Sequence, residues 1–146
     1  TELNGASIFV GQPLVELGYL GKDVYLSAIK SAKRRVDGGV LHYIPHRNED
    51  GWVASTLNDL DGYAVYGLNE CIEWHFIKNS IEPKRIFAFN STSLVTMRKL
   101  FPHSFAFSFD VDFANYAAPR HLEEIRRYFE RDPLIRVSRW DGERFW

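Results

Sequence analysis

The sequence predicts an α/β protein with an open, mostly parallel sheet and helices on both faces. Three observations predict it. Short apolar runs alternate with amphipathic segments along the 146 residues, the connections between them are short, and no internal repeat or linker interrupts the pattern. With 45% hydrophobic and 25% charged residues, the composition suits one globular domain spanning residues 1–146.

The first part of the chain predicts two strands around one long helix. Residues 7–10 are apolar with strand composition, and the following Gly-Gln-Pro ends the strand. A helix is predicted over 22–36, because apolar residues recur at positions 25, 29, 32 and 36 and two glycines stop it. Residues 40–44 predict a second buried strand, followed by a polar turn at 48–51.

The second part continues the alternation. Residues 64–68 are short, apolar and ambiguous, and Asn69 is predicted as the N-cap of a helix that runs to 78. Ser91 and Thr92 open a helix that ends at Pro102, with Leu94, Met97 and Leu100 on one face. The remaining predicted elements are strands at 85–89 and 104–109, a charged amphipathic helix at 119–131, and a last strand or extended tail at 134–137.

Composition excludes several classes of function. The net charge is −1 and the pI about 6.5, so no electrostatic footprint of a dedicated nucleic-acid binder is present. No apolar run approaches the roughly 20 residues that span a bilayer. The single Cys71 excludes an internal disulfide and a multi-cysteine metal site. The sequence also contains neither standard glycine-rich phosphate loop.

The segments that follow the predicted strands are the candidate site, because open α/β sheets bind ligands beyond the carboxyl ends of their strands. Pro45, His46 and Arg47 come directly after the second strand. A protonated imidazole donates from both nitrogens, and a guanidinium fork suits phosphate or carboxylate. A solvated loop in which Arg47 pairs with Glu49 explains the same residues, and spacing alone favours neither interpretation.

Two further groups have both a structural and a functional interpretation. Ser91 and Thr92 precede a helix, where they cap it or, with its free amides, bind an anion. Glu70 and Glu73 fall in the first turn of a predicted helix, where acids are favoured electrostatically. Either carboxylate next to a phosphate site also suits the two hydroxyls of a ribose.

Three motifs in order resemble the bacterial GT-B-type sialyltransferases and polysialyltransferases. Residues 39–49, GVLHYIPHRNE, are similar to the family's strand and histidine loop, and residues 71–74, CIEW, to its segment with an acid before an aromatic. Residues 89–94, FNSTSL, resemble its serine motif at a helix start. The resemblance covers roughly 7–109 and implies a Rossmann-like sheet, the C-terminal, nucleotide-sugar-binding half of a GT-B fold.

The resemblance also implies roles for individual residues. His46 is the expected catalytic residue, which contacts the phosphate of a CMP-sugar and supports departure of the nucleotide. Glu73 is expected to hold the ribose, with Glu70 as the alternative. In this sequence proline precedes His46 and Arg47 follows it, where relatives often have His-Pro. The other expected donor-binding residues are Gln12, Ile44, Pro45, Arg47, Ser91 and Thr92.

The implied activity is transfer of sialic acid from a CMP-sugar to a surface glycan, without a metal or other cofactor. The family's general base lies in an N-terminal acceptor domain, so we expect this chain to be half of a longer enzyme, inactive alone. Glu49 and Asp50 are the nearest acids and are interpreted as solvated. The implied location is cytoplasmic, with peripheral association of the full-length protein at the membrane. Alternative interpretations are a non-catalytic nucleotide- or phosphate-binding module and an interaction domain.

Overall fold

Within residues 2–113 and 119–146, which a computed structural model describes, six strands form one sheet in which every pairing is parallel. The strands are β1 Ser7–Val10, β2 Leu41–Ile44, β3 Tyr63–Val65, β4 Arg85–Phe89, β5 Phe105–Asp110 and β6 Ile135–Arg139. Their spatial order is β3-β2-β1-β4-β5-β6. This order reverses direction between β1 and β4, as in a Rossmann-like sheet, and so confirms the predicted fold class.

Helices cover both faces of the sheet. They are α1 Lys22–Arg34, α2 Trp52–Asn58, α3 Ile72–Lys78, α4 Thr92–Leu100 and α5 Pro119–Arg131. One core cluster joins α1 and α2 to one face, and a second joins α3, α4 and α5 to the other. In the described part of the chain, no helix combines the length and the apolar character needed to cross a bilayer.

Alternation along β1 explains how one strand serves both cores. Phe9 faces the first cluster, while Ile8 and Val10 face the second. The Phe9 ring stacks on Tyr43 at 5.8 Å and on Phe109 at 5.9 Å, measured between ring centroids. Such aromatic pairs add about 0.5–1.5 kcal/mol each beyond the area that they bury. The centre of the sheet is therefore held by side-chain packing as well as by backbone pairing.

The predicted strands are confirmed with small shifts. The structure also decides the two segments whose secondary structure the sequence left undecided. The ambiguous stretch at 64–68 contributes β3, and the segment at 134–137 belongs to β6, a true strand beside β5. The helix α2 was not predicted. It has only seven residues and begins after Gly51, which has a φ of 90° and offers no side-chain cap. Such a short helix lacks the two turns over which a 3.6-residue period becomes visible.

Two predicted helix details are wrong. Asn69 is not the N-cap of α3; Cys71 holds that position, and Asn69 lies in the preceding loop. The helix α1 ends at Arg34 rather than at Val36, which is nevertheless buried. On the predicted face of α4, Leu94 and Met97 are buried, whereas Leu100, the last residue of the helix, is 39% exposed. The inward positions predicted for α5 at Leu122, Ile125 and Phe129 are confirmed.

A buried carboxylate fixes the carboxyl ends of β4, β5 and β6. Asp110 accepts hydrogen bonds from Asn90 Nδ2, from Arg126 Nε at 2.8 Å and from Arg139 at 2.7 Å. Its side chain is 3% exposed, so the two guanidinium groups replace the water that the carboxylate loses. The network ties α5 and two neighbouring strands to one anchor.

Replacement of Asp110 by alanine should destabilise the fold strongly. The change removes the acceptor of the buried Asn90 amide and one shared acceptor of Arg126 and Arg139, and an unsatisfied buried donor costs about 1–3 kcal/mol in the free energy of unfolding. The matched control is Asp112→Ala, since Asp112 also pairs with Arg126 but its side chain is 94% exposed; the control should lose less than about 1 kcal/mol. Urea unfolding of both variants measures the difference, and equal losses would contradict this account.

Candidate functional site

A cavity of about 620 Å³ opens at the carboxyl edge of the sheet, beside the point where the strand order reverses. Because all strands are parallel, the segments that follow β1, β2 and β3 meet at this edge. The starts of α3 and α4 complete the wall. Of the predicted site residues, those that line the cavity are Gln12, Ile44, Pro45, His46, Arg47 and Glu73, together with the alternative Glu70.

His46 lies in the wall as a neutral imidazole. Its Nδ1 accepts a hydrogen bond from the backbone N–H of Asn48 at 3.1 Å, which leaves Nε2 to carry the ring proton. Burial, reinforced by the Arg47 guanidinium, holds the pKa of His46 below its usual value near 6.5. The ring therefore offers one donor at neutral pH. Donation from both nitrogens would require the protonated ring and loss of the hydrogen bond from Asn48.

Arg47 and Gln12 bring unpaired polar groups to the cavity. Arg47 is exposed, and in residues 2–113 and 119–146 its guanidinium has no hydrogen-bond or ion-pair partner. The Gln12 side-chain oxygen is buried and has no hydrogen-bond partner among the described residues. Ile44 and Pro45, which precede His46, add a buried and a half-buried apolar surface. The cavity thus joins apolar wall to the exposed Arg47 guanidinium, while the unpaired Gln12 oxygen lies beneath the surface.

The structure separates the two acids that the sequence left open. The Glu70 carboxylate lies 2.8 Å from Lys78 Nζ and 3.0 Å from His75 Nδ1. The hydrogen bond from Lys78, and then that from His75, holds the pKa of Glu70 below its usual range. Glu73, half-buried in the same wall, has neither kind of partner within the part of the chain that the structure describes. Of the two, Glu73 is the carboxylate with free acceptor capacity.

The start of α4 contributes a different residue from those predicted. Ser91 is the N-cap, buried, and its Oγ accepts the backbone N–H of Leu94 at 3.2 Å. Thr92 is exposed, and neither residue lines the cavity, whereas Ser93 does. The same serine motif contains Ser93, but only the orientation of the helix reveals that it faces the cavity. The amides of the first turn lack partners within the helix and suit an anion.

Glu49 is not a solvated loop residue, and it does not pair with Arg47. Its carboxylate accepts the Tyr43 hydroxyl at 2.6 Å and the backbone N–H of His46. The Tyr43 hydroxyl lies 2.6 Å from that of Tyr25, which accepts the backbone N–H of Gln12 at 3.0 Å. We call these linked groups the Glu49 relay. The i, i+3 spacing of His46 and Glu49 was visible in the sequence, but their contact depends on the turn.

Burial makes the Glu49 carboxyl group a weaker acid than usual. Desolvation raises its pKa from an ordinary value near 4.5 to about 7, although the hydrogen bonds from Tyr43 and His46 oppose the rise. The carboxylates of Glu16 and Asp50 add to the rise. The side chain receives dipolar donors but no cationic partner in the described ranges, so its charge is only partly compensated.

The stability of the fold should therefore contain a Glu49 component that falls as pH rises. Between about pH 4.5 and pH 7 the native state holds the Glu49 proton more tightly than the unfolded chain does. The contribution is fully present below pH 4.5 and is lost as pH rises through about 7. Urea unfolding at pH 5 and pH 8 should show a smaller decrease for Glu49→Gln than for the wild type. Asp59→Asn, which removes an exposed carboxylate at the end of α2, is the control; a wild-type-sized decrease in Glu49→Gln would contradict the assignment.

Comparison of the chain with protein-family models, with curated proteins and with solved structures found no match. A function for this chain therefore has to be argued from the cavity geometry and the sequence motifs alone.

Proposed function

We propose that the cavity binds the nucleotide of a CMP-sugar and that the domain is the donor-binding part of a glycosyltransferase of the sialyltransferase type. The observation that carries the proposal is the convergence of His46, Arg47, the α4 start and a free Glu73 on one cavity. Its volume of about 620 Å³ lies within the range of small-molecule sites, about 300–1,000 Å³. The motif order that resembles the sialyltransferases supports the same ligand.

The phosphate is assigned to the cationic part of the wall. Expulsion of CMP places negative charge on the phosphate while the sugar centre becomes oxocarbenium-like. Donors already fixed at that position stabilise the transition state more than the ground state. His46 Nε2–H, the Arg47 fork and the first-turn amides near Ser93 are the donors proposed for this role. The ribose is assigned to Glu73, whose carboxylate accepts two hydroxyls.

The acceptor hydroxyl needs a general base, and the wall supplies no convincing one. Glu49 and Asp50 do not line the cavity in the part of the chain described, and Glu49 is engaged by Tyr43 and the His46 amide. Glu70 is held by Lys78 and His75, and Glu73 is the carboxylate proposed to hold the ribose. We therefore propose that the base comes from an acceptor domain packed over the cavity, where a surface glycan would bind.

Loss of the His46 imidazole should weaken binding of CMP. A hydrogen bond to a charged group contributes about 1.5–3 kcal/mol, which corresponds to roughly ten- to a hundredfold in affinity. Calorimetry with CMP compares the wild type with His46→Ala. The matched control is His103→Ala, an exposed histidine just before the amino end of β5, which should bind as the wild type does. Absence of CMP binding by the wild-type protein at millimolar concentration would overturn the proposed function.

Glu73→Gln should reduce the preference for ribose over deoxyribose. A carboxylate accepts both ribose hydroxyls, whereas an amide accepts through one oxygen only. The wild type should prefer CMP over dCMP, and Glu73→Gln should lose most of that preference. Glu70→Gln is the matched control and should retain it, since that carboxylate is occupied by Lys78 and His75. The reverse pattern would assign the ribose to Glu70.

A further inference from the structure

The Glu49 relay connects two loops that meet at the cavity but lies outside the cavity wall itself. Gln12 follows β1 and His46 follows β2, and both line the cavity. Tyr25, Tyr43 and Glu49 do not line it. Tyr25 and Tyr43 are 1% and 0% exposed, so their hydroxyl groups have only protein partners available. A change at these hydroxyl groups can therefore alter ligand binding only by displacing Gln12 or His46.

The hydrogen bonds of the relay all point towards the carboxylate. Tyr43 donates to Glu49 Oε1 and the His46 amide donates to Oε2. Because the Tyr43 hydroxyl donates to Glu49, its oxygen accepts a hydrogen bond from the Tyr25 hydroxyl. The Tyr25 oxygen in turn accepts a hydrogen bond from the Gln12 backbone N–H. Every donor is used once. An ionised Glu49 is the terminal acceptor that makes this direction possible.

The Glu49 relay is packed tightly against the backbone that follows β1. A methyl group at Gly11 would lie 2.5 Å from both Glu49 Oε2 and the Tyr43 hydroxyl oxygen, closer than atoms can approach. The Gly11 amide also donates to the Ile44 carbonyl at 2.8 Å, which joins the ends of β1 and β2. Glycine after β1 therefore serves the close approach of the relay. The turn that follows β1 and the histidine loop are packed as one unit.

We propose that Glu49 is a positioning residue, which through Tyr43 and Tyr25 holds the Gln12 and His46 segments in the arrangement that binds the nucleotide. The inference rests on the proposed function for its ligand. It assigns the carboxylate a role distinct from that of a general base: Glu49 touches neither ligand nor acceptor. It sets the geometry of the two groups that do line the cavity.

Other charged and titratable groups near Glu49 define the conditions of a test. Glu16 faces it from the segment before α1, and its carboxylate accepts the Asp50 amide at 3.0 Å. Asp50 and His46 belong to the same loop as Glu49, and Tyr25 and Tyr43 face it from α1 and β2. Measurements at pH 8 keep Glu49 ionised and His46 neutral, so the relay is compared in one protonation state.

The experiment measures CMP affinity and amide hydrogen exchange at pH 8 in Glu49→Gln, Tyr43→Phe and Tyr25→Phe. Each variant keeps the shape of the side chain and removes one part of the relay. Tyr63→Phe and Asp50→Asn are controls that remove a hydroxyl and a carboxylate outside it. Thermal unfolding curves are recorded first, and binding is then measured at a temperature at which every variant is fully folded. At that temperature a variant that is merely less stable binds CMP as the wild type does.

Tyr25→Phe, which removes a neutral hydrogen bond, should bind CMP roughly two- to tenfold more weakly, and Glu49→Gln and Tyr43→Phe, which alter the hydrogen bonds of the ionised carboxylate, should lose at least as much affinity. The Gln12 amide should lose protection in Tyr25→Phe, and the His46 amide in Glu49→Gln, while the controls match the wild type. The double variant Glu49→Gln/Tyr25→Phe should lose no more affinity than Glu49→Gln alone, because the relay is already broken.

The experiment distinguishes failure of the positioning role from failure of the proposed function. Wild-type binding of CMP with unchanged affinity in all three relay variants would overturn the positioning role and leave the proposed function standing. Absence of CMP binding by the wild type would overturn the proposed function. In that case the exchange measurements still decide whether the relay holds the two segments, since unchanged protection of Gln12 and His46 in the variants would overturn it.

Discussion

The constraint on which the rest of the structure depends is the complete burial of β1. All four of its residues are buried, so its backbone groups cannot bond to water. They are satisfied by parallel pairing with β2 on one side and β4 on the other. Parallel neighbours require crossover connections, which place helices on both faces and bring the following loops to one edge. The position of the cavity therefore follows from how β1 satisfies its hydrogen bonds.

Two carboxylates, the buried Asp110 and the half-buried Glu49, organise that edge in different ways. Asp110 receives two guanidinium groups and an amide, so its charge is compensated where β4, β5 and β6 end. Glu49 receives a tyrosine hydroxyl and a backbone N–H, and its pKa is raised to about 7 by burial. The first arrangement holds the outer half of the sheet firmly. The second joins the loops beside β1, where small displacements alter the shape of the cavity.

The cavity wall also divides its polar groups by charge. His46 and Arg47 lie in one loop, and the acids belong to the start of α3 and the loop before it. Glu70 is neutralised by Lys78 and His75, whereas Glu73 keeps its acceptor capacity. A ligand with an anionic group at one end and hydroxyls at the other satisfies both parts of the wall. This division supports a nucleotide over a simple inorganic anion as the proposed ligand.

The sequence by itself determined the α/β class, most of the strands, and the loop and helix starts from which the cavity is built. These features depend on local properties, namely apolar runs, helical periodicity and breaks at glycine and proline. The tertiary structure decided which side chain at each position faces the ligand. Ser93 rather than Ser91 or Thr92 lines the wall, because the rotation of α4 is set by packing Leu94 and Met97 into the core. A polar loop predicts a solvated Glu49, whereas its partner Tyr43 lies on β2 and Tyr25, which bonds to Tyr43, lies on α1, and only folding brings these elements together.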